Sequence, residues 1–157
     1  MGLYKTGDTR MKKNFLGAAA FFLVFLIASP AFSGESAKIH TTILVASSNG
    51  QNAAPINEAY GAQLAELFSY SNYTQAGVSS QTLEKSKRVM VDLPDGYKLI
   101  LTLQDVDKKR VQVQAVIRKG NIQFMDTVVS ILRPGVVFLG GPPAQEGVLI
   151  IVLETTF

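Results

Sequence analysis

Residues whose types could do chemistry are few in this sequence, and they are far apart. His40 is the single histidine and there is no cysteine, so neither a Cys/His zinc set nor a Ser-His-Asp relay finds its partners at a recognisable spacing. A lone histidine in a strand pattern reads as structural. Asp92, Asp95, Asp105 and Asp107 are the nearest approach to a carboxylate cluster, the raw material of a hydrolase working with carboxylates alone, through Asp92 and Asp95, or of a calcium site. The D-x-D-x-D-G loop with a distal Glu is missing, and each aspartate falls where a hairpin turn favours it through side-chain to backbone hydrogen bonds. Gly140-Gly141 lacks the Lys-Ser/Thr of a phosphate loop and opens no helix, so it reads as a bulge or tight bend between strands. Asn72-Tyr73-Thr74 fits a glycosylation acceptor, a pattern too short to carry weight here. These patterns predict no catalytic residue, no metal ligand and no cofactor.

Charge narrows the partners. The chain has 157 residues and a net charge of +3, but four of its 15 basic and one of its 12 acidic side chains lie in the first 33 residues. The whole excess belongs to that segment and the rest is neutral. A nucleic-acid surface needs clustered Lys and Arg, whereas Lys85/Lys87/Arg88 and Lys108/Lys109/Arg110 read as solvated turn or strand-end charges. No nucleic-acid partner is expected.

Lys12 and Lys13 precede an uncharged apolar run over residues 15–28, then Ser29-Pro30-Ala31-Phe32-Ser33-Gly34. This is the basic, apolar and small-residue order of a secretory signal within residues 1–33, starting at Met1 or at Met11, with cleavage after Ser33 or Ala31. A bilayer span needs about 20 apolar residues, so membrane contact is expected only if this segment is not cleaved. With no cysteine to follow the cut, a lipoprotein signal is excluded. The expected mature product, residues 34–157, is one exported domain, periplasmic or extracellular.

The elements that would position any site are mostly strands. Ile39, Thr41, Ile43 and Val45 alternate with His40, Thr42, Leu44 and Ala46 in a first strand. Residues 47–52 are turn-forming, and after Pro55 the apolar residues Ile56, Ala59, Tyr60, Leu64, Leu67 and Phe68 recur at helical spacing. Residues 69–77 read as a connection, followed by a strand within 78–93. Asp95-Gly96, residues 105–109 and Lys119-Gly120-Asn121 predict hairpin turns between alternating strands. Val111, Val113, Ala115 and Ile117 should point inward. Strands over 122–132, 136–139 and 148–153 complete the series, the last apolar throughout and therefore buried on both faces. That run lacks the polar alternation of an outer-membrane barrel strand, despite the aromatic Phe157. The predicted fold is α+β: one N-terminal strand and one helix packed on a mainly antiparallel β-meander of about six strands.

Arg133-Pro134-Gly135-Val136-Val137-Phe138-Leu139-Gly140-Gly141 resembles the turn-strand-Gly-Gly segment of bacterial secretins, over residues 127–149; the long gate-forming region of a secretin has no room in this chain. The whole pattern from Ile39 onward also looks like small exported bacterial proteins of unassigned function, a resemblance that implies export and fold type alone. The expected function is a non-catalytic envelope interaction module, beside a secretion or pilus system, recruiting an envelope protein by strand addition at the first strand or at Val136 to Phe138 and Leu139. The alternative is a carrier of a small apolar ligand or lipid in a pocket lined by Phe68, Tyr70 and Phe124.

Overall fold

Successive residues of β1 (Ser36–Ser47) point to opposite sides: Ala37, Ile39, Thr41 and Ile43 are buried on one face, Leu44 and Ala46 on the other. A strand buried on both faces needs a packed layer on each side of its sheet. The computed structural model describes residues 35–49, 58–145 and 147–156, all within the unit Phe32–Phe157. The apolar run of the expected signal, Pro55 and Ile56 of the expected helix, and Phe157 lie outside them.

Among the described residues β1 is followed by α1 (Glu58–Leu67), β2 (Asn72–Glu84), β3 (Arg88–Asp92), a 3-10 turn (Pro94–Gly96), β4 (Lys98–Val106), β5 (Arg110–Lys119), β6 (Ile122–Leu132), β7 (Gly135–Ala144) and β8 (Gly147–Thr155). The strands make two four-stranded antiparallel sheets, β2-β1-β8-β7 and β3-β4-β5-β6. The α+β make-up, antiparallel strands with one helix, is as expected; the single meander is not. β3 to β6 do form a meander, but β7 and β8 leave it and join β1, with β8 paired along β1 from Ile39↔Thr155 to Ala46↔Val148.

Burial explains the split. Leu149, Ile151 and Leu153 of β8 face the second sheet, Ile150 and Val152 face the helix, and none is more than 1% exposed. Such a strand belongs at a sheet centre. Between the sheets, Ile39, Ile43 and Leu83 of the first meet Leu99, Leu101, Val113 and Ile117 of the second, and each such aliphatic side chain stabilises by about 1.5–3 kcal/mol. Val111, Val113, Ala115 and Ile117 all point inward as their alternation requires.

The helix covers the other face of the first sheet. It lies in the connection between the antiparallel neighbours β1 and β2 and buries Leu64 among Leu44, Ala46, Tyr73, Ile150 and Val152. Leu67, expected on the buried stripe, is 61% exposed, and Phe68 beyond the helix end packs instead. The Tyr73 hydroxyl lies 3.1 Å from the Leu64 carbonyl, which also accepts the Phe68 N–H, and 3.2 Å from the Phe68 carbonyl just past the helix end, so it ties the end of the helix to β2.

Turn chemistry holds where it was legible. Asp95 and Gly96 both have positive φ, 59° and 77°, as a two-residue hairpin turn requires. The Asp107 carboxylate accepts the Lys109 and Arg110 N–H groups at 2.6 and 2.7 Å, and these bonds hold its carboxyl below the usual range. Gly140-Gly141 is a bulge, the register with β8 slipping between Gly140 and Pro143. A Cβ on Gly141 would meet the Leu149 carbonyl oxygen at 3.0 Å, so glycine permits this close passage. β2 begins earlier than expected, at Asn72: only Tyr73 and Leu83 of it are buried, so most of it carries no apolar alternation.

Thr41 points between the sheets with its hydroxyl buried and without a hydrogen-bond partner, unlike Thr155, which donates to the Leu132 carbonyl at 2.5 Å. An unpaired buried hydroxyl costs about 1–3 kcal/mol. Thr41→Val keeps the shape and removes the cost, and should raise the melting temperature by about 4 °C for each kcal/mol recovered. A lowered melting temperature would mean that the hydroxyl finds a partner in solution.

Candidate functional site

The five residues expected to line an interaction surface or pocket separate into two places. Phe68, Tyr70, Val136 and Phe138 come together, half-buried around the helix on the outer face of the first sheet. Phe124 lies on the second sheet, packed edge-on against Tyr97 with ring centroids 5.1 Å apart. The expected pocket of Phe68, Tyr70 and Phe124 is therefore not assembled. The space between the sheets, where a carrier would hold its ligand, is filled by aliphatic side chains.

The helix-side group is a fastening. Tyr60 meets Phe138 edge-on at 5.9 Å, and its hydroxyl donates to a Glu154 carboxylate oxygen at 2.5 Å. Burial, then the hydrogen bond and the negative charge of Glu154, push the Tyr60 hydroxyl up to about 12. Burial likewise raises the Tyr73 hydroxyl under the helix end. His40 sits directly across from Glu154 in the sheet, half-buried on the same face.

Each of the four aspartates has a structural partner. Asp92 pairs with Lys98 at 2.7 Å, Asp95 accepts the Gln145 N–H at 2.6 Å, Asp105 lies 3.8 Å from Lys85, and Asp107 closes its turn. A hollow of about 140 Å³ between Pro94, Asp95, Ala144 and Gln145 belongs to that Asp95 contact. Among the described residues no group of three or more His, Cys, Asp or Glu could hold a metal ion, and no helix is long and apolar enough to cross a membrane.

Two surfaces remain, and sequence reasoning named neither. The first is the β2 edge. β1, expected to offer an edge, is flanked by β2 and β8, and both of its ladders are occupied. β7, which contains Val136 and Phe138, is an edge paired with β8 alone, but Pro142 and Pro143 remove two donors from its second half. β2 is the longer edge, paired with β1 alone, and residues 74–83 contain neither a charge nor a proline. Val78 within it is 61% exposed.

The second surface is the outer face of the second sheet, a hollow of about 160 Å³ whose floor includes Ile100, Thr102, Gln114 and Val116 and whose rim holds Arg88, Arg118, Gln123 and Asp126. Register builds it. Arg88, Thr102 and Gln114 form one cross-strand row, Ile100, Val116 and Asp126 the next, and Lys98, Arg118 and Gln123 a third. Gln104 donates to Gln114 at 3.2 Å and Gln114 to Asp126 at 2.8 Å, so this amide is oriented from both sides. Alternation implies that these residues face outward; what was missed is that among the described residues no helix covers this sheet.

No protein-family model, curated protein or solved structure matches the chain.

The Tyr60 pair has a pH signature. Because the folded-state value lies above that of a free tyrosine, near 10, the unfolded chain loses its proton first as pH rises. Stability should fall between about pH 10 and 12. In an absorbance titration one tyrosine should ionise near pH 12, and Tyr60→Phe should delete that step. Loss of a step near pH 10 instead would show that the Glu154 contact does not persist in solution.

Proposed function

We propose that this protein is an exported, non-catalytic envelope module that binds a protein partner by adding a strand to β2. The observation that carries this reading is the uncharged, proline-free β2 edge over residues 74–83. Natural sheets usually blunt such edges with lysine, proline or brevity, because unpaired N–H and C=O groups recruit any compatible strand. A ten-residue run left open in this way is suited to β-augmentation. Support for the non-catalytic reading comes from the aspartates, each tied to a turn or an ion pair. Support for export comes from the basic, apolar and small-residue order of residues 12–34. A periplasmic or extracellular location beside a secretion or pilus machine is part of the same proposal, and rests on the signal order and the secretin-like segment.

The test is crosslinking in intact expressing cells, followed by N-terminal sequencing of the crosslinked product. The expected product starts near Gly34 and is joined to an envelope protein. Val78→Lys with Ser80→Lys places two charges on the edge, both at exposed positions, and should abolish the crosslink while changing stability by no more than about 0.5 kcal/mol per site. A crosslink that survives both lysines removes β2 as the docking edge; an uncleaved N-terminus removes the export reading.

A further inference from the structure

The β2 edge would hold a partner's backbone; the hollow on the outer face of the second sheet has the chemistry to choose among side chains. Its two arginines are unsatisfied. Among the described residues the side chains of Arg88 and Arg118 make no ion pair, whereas Lys87 and Lys98 nearby each have one and Lys85 has two. Arg118 also stands directly across from another cation, Lys98, in the ladder. Like charges directly opposite in a sheet are destabilising, and Lys98 is relieved by Asp92 while Arg118 is not. An uncompensated guanidinium beside a second cation on a concave surface favours an anion, and guanidinium prefers a carboxylate taken through two parallel hydrogen bonds.

The spacing defines the shape of that anion. Arg88 is paired with Thr102 and Arg118 with Lys98, four residues apart along β4, and the arginines lie on β3 and β5, one strand to either side. Four residues along a strand are about 13 Å, two strand spacings about 9.5 Å, and the diagonal about 16 Å between backbones. Both side chains reach toward the same hollow, so their heads approach more closely than that. Between them lie the apolar Ile100 and Val116, and beside these Asp126, an acceptor already oriented by Gln114. A small carboxylate could satisfy one arginine only. An extended peptide places residues i and i+4 about 13 Å apart on one face with residue i+2 between them, which matches acid, apolar, acid.

We propose that the hollow bounded by Arg88, Arg118, Ile100, Val116 and Asp126 binds an extended acidic peptide of pattern Glu-x-Val-x-Glu, its carboxylates on the two arginines and a backbone N–H on Asp126. The inference rests on the interaction-module reading and supplies the chemistry of the partner, but it uses a face distinct from the β2 edge.

The probe is the capped pentapeptide Glu-Ser-Val-Ser-Glu, titrated by calorimetry into the protein as recovered from expressing cells, with Gln-Ser-Val-Ser-Gln and acetate as comparators. The glutamate peptide should bind saturably and more weakly as salt is raised. Arg88→Gln and Arg118→Gln should each weaken it about tenfold, the scale of one exposed charge-assisted contact. Both arginines are exposed, and unchanged melting curves for the two variants will show that they fold. Binding of the glutamine peptide with equal affinity, competition by acetate as effective as by the peptide, indifference to either arginine, or no binding at all would each overturn the proposal. The β2 lysine variant should bind the peptide as the parent does. Failure of the peptide with a β2-dependent crosslink intact would discard this site alone, whereas loss of the crosslink reading with peptide binding intact would discard the edge.

Discussion

The structure depends on one constraint, that β8 is apolar on both faces and must be covered twice. Leu149, Ile151 and Leu153 require a second sheet on one side; Ile150 and Val152 require something on the other. α1 supplies that second cover, with Leu64 seated directly over the strand pair and Tyr60 tied to Glu154. Without the helix, β1 and β8 would expose Leu44, Ala46, Ile150 and Val152 together, a patch that water does not tolerate cheaply.

The same constraint sorts the remaining surfaces. The helix is spent on the first sheet, so among the described residues nothing covers the outer face of the second, where Ile100 and Val116 are half-buried and Met90 and Val128 exposed among polar neighbours. β1 and β8 occupy the centre of the first sheet, so its edges fall to β2 and β7. Both surfaces argued to be functional are thus what is left over when β8 has been enclosed. Neither needs an unusual residue, and no catalytic pattern in the sequence points to either.

Much of the fold was legible because alternation reports which side of a strand is buried. The inward set of β5, the hairpin turns at Asp95-Gly96 and Asp107, and the two-sided burial of β8 all follow from local residue types. Alternation cannot report which sheet lies on the buried side, and so one meander was expected where two sheets exist. β2 was shortened because an edge exposed to water has no apolar rhythm to read, and Leu67 was misplaced because the helix ends at it and the inward position falls to Phe68 just beyond. Phe124 was grouped with Phe68 by residue type alone; the strand register carries it to the opposite sheet, beside Tyr97. The site was less legible than the fold, since Arg88 and Arg118 are 30 positions apart and become neighbours only through the β3, β4 and β5 ladders.

The pairing of β1 with β8 also governs how the domain can come into being. Ile39 meets Thr155 across the centre of the first sheet, so that sheet cannot close until nearly the whole domain has been made. The β3 to β6 meander has only neighbouring hairpins to form and can assemble early, but its apolar face then waits for a partner that arrives last. Contacts of such long sequence separation slow folding and lengthen the life of partly formed states. A meander formed first would keep one sticky face until β8, the hairpin partner of β7, also pairs with β1.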